Sequence, residues 1–411
     1  MRTRIPLGRL GAFYPAILRS EPSFLYRRLA DQDREVLAVG EVSVAEAPSF
    51  GPDGRVLDWT FGHLCYEWGD LWQRSIGRHA TEGKFPLSRW MVPRWVVEWS
   101  RGDAVLHALP GDEVSARAFA EHLSTARPAH VPVSGMEWSC RTSRETYLRN
   151  ARRLMRHIQR GDIYELNYCI ERTCEVKSWD PFAAFDQMLR RTQAPFAGFH
   201  RLDGRFALCA SPERFLAFDG ARLVGQPMKG TRPRSPNAAE DDRLRDELAG
   251  DAKERSENIM ALDVMRHDLS RVAASRSVRV DELCAVHSFP QVHQMVSTVS
   301  ARIRDGQTPF DAVRAAFPMA SMTGAPKIRA MELIDEVEDQ ARGLYSGTLG
   351  FFAPDGTADL NVVIRTVLYD EATGRASLST GSALTAACDP EQEWEECELK
   401  AHTVMNALAH A

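Results

Sequence analysis

A mixed fold of helices and strands is what the sequence predicts, on three observations. Short runs rich in aromatic residues fill the first 125 positions, an amphipathic helix follows from about residue 142, and two apolar runs flank a Pro-Asp-Gly turn late in the chain. In the first part, Trp59-Thr60-Phe61-Gly62 and Trp95-Val96-Val97-Glu98-Trp99 have the aromatic and β-branched content of strands, with no catalytic constellation among them. Arg127-Pro128-Ala129-His130-Val131-Pro132 has the proline density of a linker or extended crossover. Thr142 and Ser143 then offer an N-cap, and Tyr147, Ala151, Leu154 and Ile158 recur at helical spacing until Gly161 supplies a stop. Ile163 to Ile170 and Phe206 to Cys209 alternate as strands do. Residues 251 to 272 return to helix, with Ile259, Leu262, Val264, Met265 and Leu269 on the apolar side and Glu254 and Glu257 together on another. Leu344 to Phe352 and Leu360 to Arg365 read as a strand pair joined by Pro354-Asp355-Gly356. A final helix begins near Pro390 and carries Glu393, Glu396 and Lys400. No internal repeat or low-complexity tract interrupts this pattern.

With 411 residues and 44% hydrophobic content, the chain can bury a large core as one oversized domain or two. A net charge of -5 argues against nucleic acid as a partner, so any anionic substrate must be held by local cations. The eight cysteines are scattered without a Cys-x-x-Cys, which points to neither a zinc site nor a disulfide framework. Met1 to Leu18 is broken by Pro6, Gly8, Arg9 and Gly11. No signal peptide or membrane span is expected, and a reducing cytoplasm is the default compartment.

Gln226-Pro227-Met228-Lys229-Gly230-Thr231 is the segment whose residues most need a chemical reason. A lone loop lysine is ordinarily solvated, but Lys229 lies between Ser211-Pro212-Glu213 and two Glu-x-x-Glu pairs, Glu254/Glu257 and Glu393/Glu396. Glutamates three apart on a helix point the same way, so each pair presents adjacent carboxylates. Either pair alone reads as a solvated face. Two such pairs suit a hard cation such as magnesium, which takes few protein carboxylates and accepts a substrate oxygen; spacing alone does not prove that they meet. Lys400 follows Glu396 at helical spacing, consistent with a surface ion pair worth about a few tenths of a kcal/mol. Arg365, at the end of an apolar run, wants a carboxylate partner. Ser321-Met322-Thr323-Gly324-Ala325-Pro326-Lys327 leads into a helix near Ile328 and reads equally as a helix start or as an anion contact.

Taken in order, these segments resemble the chorismate-utilising enzymes, the family of anthranilate synthase component I, aminodeoxychorismate synthase component I, isochorismate synthase and salicylate synthase. The likeness runs from about residue 140 to the C-terminus, through Gly161-Asp162-Ile163-Tyr164-Glu165-Leu166-Asn167, Ser211-Pro212-Glu213, Gly230-Thr231-Arg232-Pro233-Arg234, Glu257-Asn258, Asp263, Arg266-His267-Asp268, Val296-Ser297-Thr298, Thr323-Gly324-Ala325-Pro326-Lys327, Ile364-Arg365-Thr366 and Glu393-Trp394-Glu395-Glu396. It implies one large α+β domain, two packed antiparallel β-sheets with helices outside. Residues 1–125 would be a variable N-terminal part of the same fold and 140–411 the chorismate-binding catalytic region.

The resemblance also implies roles. Glu257 and Glu396 would hold Mg2+, with Glu254 and Glu393 beside them acting directly or through water. Gly230, Thr231, Thr323, Tyr345, Arg365, Gly381 and Lys400 would bind the substrate, and Glu213 would be the general acid at the departing C4 hydroxyl. Lysine before Gly-Thr resembles the aminodeoxychorismate synthases, where anthranilate synthases show alanine. Its amine would attack C2 of chorismate and ammonia from a separate glutaminase would open the adduct, which requires a lowered lysine pKa. Gln294 replaces a histidine common in relatives, Gly381-Ser382-Ala383 replaces Gly-x-Gly, and the position where isochorismate and salicylate synthases carry a basic lysine reads as Glu165 or a neighbour, which disfavours both activities. The implied activity is amination of chorismate to 4-amino-4-deoxychorismate for p-aminobenzoate and folate. The alternatives are anthranilate synthase component I or another chorismate-aminating enzyme, and a non-catalytic chorismate-binding subunit.

Overall fold

The computed structural model describes residues 2–9, 13, 15–73, 79, 84–100, 102–125, 136–176 and 179–409. The proline-rich stretch Arg127 to Pro132 lies outside them. Two antiparallel sheets share one long strand, Ser88–Ser100. In the first sheet that strand pairs with Asp103–Ala108 and Thr3–Gly8 on one side. On the other, Arg34–Ala45, Ser23–Leu29, Gly198–Leu202, Arg205–Cys209, Thr366–Asp370, Arg375–Thr385 and Glu165–Glu175 follow in spatial order. The second sheet starts from Ser88 to Met91 and runs through Thr60–Leu64, Thr348–Phe352, Thr357–Asn361, Arg214–Asp219, Arg222–Gly225 and Val292–Arg302. Met228–Pro233 and Arg279–Ser288 also pair with Val292–Arg302. Strands from the first 125 residues thus lie directly against strands from the last 270, as Leu64 against Thr348 and Phe24 against Arg201 show.

The layering follows from period-two burial. Leu25, Val36 and Ala38 of the first sheet pack on Phe61, Leu349 and Phe351 of the second. Their strand neighbours Phe24 and Tyr26 face the other way, onto Phe182, Phe185 and Met188 of the helix Pro181–Thr192. The second sheet buries Phe215, Leu223 and Val299 under Leu262, Met265 and Leu269 of the helix Ala252–Ser270. Both sheets are therefore covered outside by helices, the α+β sandwich expected. Among the described residues no helix is long and apolar enough to cross a membrane.

The local signals hold in most places. Ser143 caps the helix Arg144–Gln159 by accepting from Thr146 N, and Tyr147, Ala151, Leu154 and Ile158 are its buried face. Two expectations need correction. Ile259 is exposed, because the buried stripe of Ala252–Ser270 passes through Asn258, Ala261 and Leu262 instead. The strand expected to reach Arg365 stops at Asn361, whose side chain is taken up by Leu349 N and the Phe196 carbonyl. Val362 to Arg365 leave the ladder, and Arg365 adopts φ +51°.

Candidate active site

Lys229 sits on the strand Met228–Pro233, where the register slips between Met228 and Thr231. Gly230 makes that slip with φ +77°, a left-handed conformation costly for other residues. Gln294 on the neighbouring strand fixes the turn, accepting from the Thr231 hydroxyl at 2.9 Å and donating to the Gly230 carbonyl at 2.7 Å. The residue that marked a departure in the sequence therefore clamps this bend. The half-buried Lys229 ammonium donates to Glu165 Oε1 at 2.5 Å and lies 4.0 Å from Glu257 Oε2. Burial pushes its pKa down, but the Glu165 and Glu257 carboxylates outweigh burial and hold it above the usual lysine value. The lowered pKa that the sequence reading required is not the state of this site. No spacing rule revealed Glu165 as the reason, since it acts on Lys229 only through the fold.

Glu213 leaves a tight turn in which Ser211 Oγ donates to the Val362 carbonyl and accepts from Glu213 N. Its carboxylate accepts from Ser321 Oγ at 2.8 Å. Burial raises its pKa to about 7, against the opposing pull of Ser321 and Lys229. Near neutral pH this carboxyl can still carry a proton. Ser321 comes from the segment that read equally as helix start or anion contact. Thr323, in that same segment, is fully buried and donates its hydroxyl to the Met319 carbonyl, so it shapes the loop carrying Ser321 rather than offering a hydroxyl to the site. Lys327 is tied to Asp268 at 2.5 Å.

The two acidic pairs come together. Asp251 caps the helix Ala252–Ser270 by accepting from Glu254 N, which fixes the turn carrying Glu254 and Glu257. Glu393, in the first turn of the helix Pro390–Ala409, accepts from Ser382 Oγ at 2.7 Å. Lys253 joins the two helices, with Nζ 3.1 Å from Glu393 Oε1 and 3.9 Å from Glu257 Oε1. Glu257 Oε1 is buried without a hydrogen bond, and burial raises the Glu257 pKa to about 7. Glu254 leans toward Arg232, 3.8 Å away. Glu396 pairs with Lys400 at 2.5 Å, and Lys400 also donates to the Gly381 carbonyl at 2.9 Å.

Gly381 lies within the strand Arg375–Thr385 opposite Cys169 rather than in a turn. A Cβ there would stand 2.6 Å from Cys169 Sγ and 2.8 Å from the Asn167 amide, so the close approach needs glycine. Tyr345 is buried with its hydroxyl 3.7 Å from that Cys169 sulfur. The guanidinium of half-buried Arg365 has neither hydrogen bond nor ion pair within the described residues, although burial lowers its pKa. Such a guanidinium, desolvated and unspent, suits an incoming carboxylate.

A family model described as chorismate binding enzyme matches residues 21–406. The chain belongs to that family. Among the similar members, the aminodeoxychorismate synthase of Streptomyces griseus is 43% identical over 270 residues, covering 65% of this chain and 37% of that protein. Aminodeoxychorismate synthase component 1 of Klebsiella aerogenes is 37% identical over 363 residues, or 88% of this chain and 79% of that one. The chain thus spans well under two thirds of the length of the Streptomyces griseus relative. The fold matches anthranilate synthase component I from Streptococcus pneumoniae TIGR4 with a TM-score of 0.79 at 22% identity, covering 91% of this chain and 92% of that one.

Proposed function

We propose that this chorismate-binding enzyme is an aminodeoxychorismate synthase component I, which converts chorismate and ammonia into 4-amino-4-deoxychorismate and water. The observation that carries the reading is Lys229, a half-buried amine beside Glu165 and within the same site as a carboxyl of raised pKa, Glu213. Two of the relatives above bear the aminodeoxychorismate synthase name, which supports it.

The chemistry follows from the two groups. Glu165 is the nearest acceptor for the Lys229 proton, and the freed amine attacks C2 of chorismate. The ring double bonds shift, the C4 carbon–oxygen bond breaks, and Glu213 gives its proton to the departing hydroxyl so that water leaves. Ammonia then adds at C4, the double bonds shift back, and the lysine is released. Arg365, Tyr345 and Lys400, with the backbone around Gly230 and Gly381, would bind the substrate carboxylates.

A magnesium ion fits the acidic helices. Glu257 has a buried oxygen with no hydrogen bond, and Glu257 and Glu393 already converge on one cation, the Lys253 ammonium. Among the described residues, no three His, Cys, Asp or Glu side chains are gathered about a metal-sized point, and Lys253 stands between the carboxylates that would close it. Glu257, Glu396, Glu393 and Glu254 would hold the ion, which when bound supplies positive charge for a substrate carboxylate. Ammonia would come from a separate glutaminase subunit.

Mass spectrometry of products from chorismate, Mg2+ and ammonium tests the reading. It expects an aminated product that keeps the enolpyruvyl group, lost in Lys229→Ala. Anthranilate with pyruvate, undiminished in Lys229→Ala, would replace it by the anthranilate synthase alternative.

A further inference from the structure

We propose that Lys253 is a built-in placeholder for the divalent cation, so that magnesium enters the site by displacing the Lys253 ammonium; this rests on the reading of the acidic helices as the magnesium site. No sequence pattern hints at it, because Lys253 looks like any exposed helix lysine next to Glu254. Its position in the fold is different. Its Nζ lies between a carboxylate of each helix, 3.1 Å from Glu393 Oε1 and 3.9 Å from Glu257 Oε1. Both carboxylates are enclosed: the side chains of Glu257 and Glu393 are 8% and 3% exposed. Enclosed carboxylates facing one another need a countercharge, and without a metal an ammonium is the available one.

Lys253 can also leave. Its side chain is 46% exposed, against 11% for Lys229, so it can swing to solvent on its flexible stem without disturbing the core. Lys229 is held by Glu165, and Lys400 is held by Glu396 and the Gly381 carbonyl. A divalent ion placed among the same oxygens repels the nearest monovalent cation, and the solvent-facing one yields first. The contact it breaks, the pair with Glu393, is the cost that the metal has to overcome. In the absence of metal, Lys253 would keep the two helices together and the acidic oxygens apart from other cations.

Calorimetric titration of Mg2+ into the full chain without chorismate tests this, comparing wild type with Lys253→Met and Lys253→Gln. Both variants should bind Mg2+ about fivefold tighter, the scale expected for removing one partly exposed competing ion pair. A second readout is amine acylation followed by peptide mass spectrometry, in which Mg2+ should raise the labelling of Lys253 in the wild-type protein. Unchanged or weaker Mg2+ binding in both variants, with the fold intact by circular dichroism, would overturn the placeholder. If Glu257→Gln abolishes Mg2+ binding in that case, the magnesium site itself stands. If wild type and all variants bind no Mg2+, the metal reading falls and the placeholder with it.

Discussion

At the level of single residues the site sets two proton carriers against each other: an amine held in its charged form by Glu165 and a carboxyl held near neutrality by burial. With a pKa of about 7, Glu213 is protonated below that pH and loses its proton above it, so a general-acid step at Glu213 weakens as pH rises through 7. Glu213→Gln should lower kcat by about 10²–10⁴-fold and remove that limb from the pH–rate profile, while the KM for chorismate changes little. An unaltered profile would assign the acid elsewhere. Glu165→Gln removes the nearest carboxylate holding the Lys229 ammonium, so the Lys229 pKa should fall. Competitive acetylation across pH, read by peptide mass spectrometry, should then show Lys229 labelled at lower pH than in wild type; identical curves would mean Glu165 does not set it. The sequence made Lys229 and Glu213 legible because each sits in a short motif. Glu165 and Ser321 were visible only as members of longer motifs and Lys253 not at all, since the importance of the three comes from partners 64, 108 and 140 residues away.

Among the elements, the helices were the legible ones, for their caps and stripes are local. Ser143 is a cap named from the sequence, and both it and Asp251, whose capping the fold revealed, accept backbone N–H groups. Asp251→Ala should destabilise the protein by about 1 kcal/mol in chemical unfolding, and it should also weaken Mg2+ binding because the first turn carries Glu254 and Glu257. A loss of stability without a loss of metal affinity would separate the cap from the site. Arg365 was harder to place. An apolar run followed by arginine reads as a strand, but the strand ends at Asn361 and Arg365 adopts φ +51° just before the next strand, Thr366–Asp370. Gln294 works across strands, and Gln294→Ala should loosen the Gly230 turn and raise the KM for chorismate more than it lowers kcat.

Across the molecule, one buried ionic chain ties the two sheets together near the site. Arg27, fully buried on the strand Ser23–Leu29, donates to Asp359 of the strand Thr357–Asn361 at 2.8 Å. The other oxygen of Asp359 accepts from Arg214 at 2.7 Å, and Arg214 reaches Gln226 at 2.7 Å, next to the segment bearing Lys229. Asp359→Ala leaves two buried guanidinium groups without that carboxylate and should cost about 3–5 kcal/mol in chemical unfolding. No sequence pattern announced this link, because Asp359 lies 332 residues from Arg27 and 145 from Arg214. The pairing of early strands with late ones was hidden for the same reason, whereas the two-sheet architecture was reached through the ordered motifs of the family.

The central claim is a covalent bond to Lys229, and intact-protein mass spectrometry tests it most directly. The full chain is incubated with chorismate and Mg2+ without ammonia and quenched in acid. A mass gain of one chorismate less one water, mapped to the Lys229 peptide and discharged when ammonium is added, is the predicted result. Full amination activity with no such gain, or a gain that survives in Lys229→Ala, would contradict it.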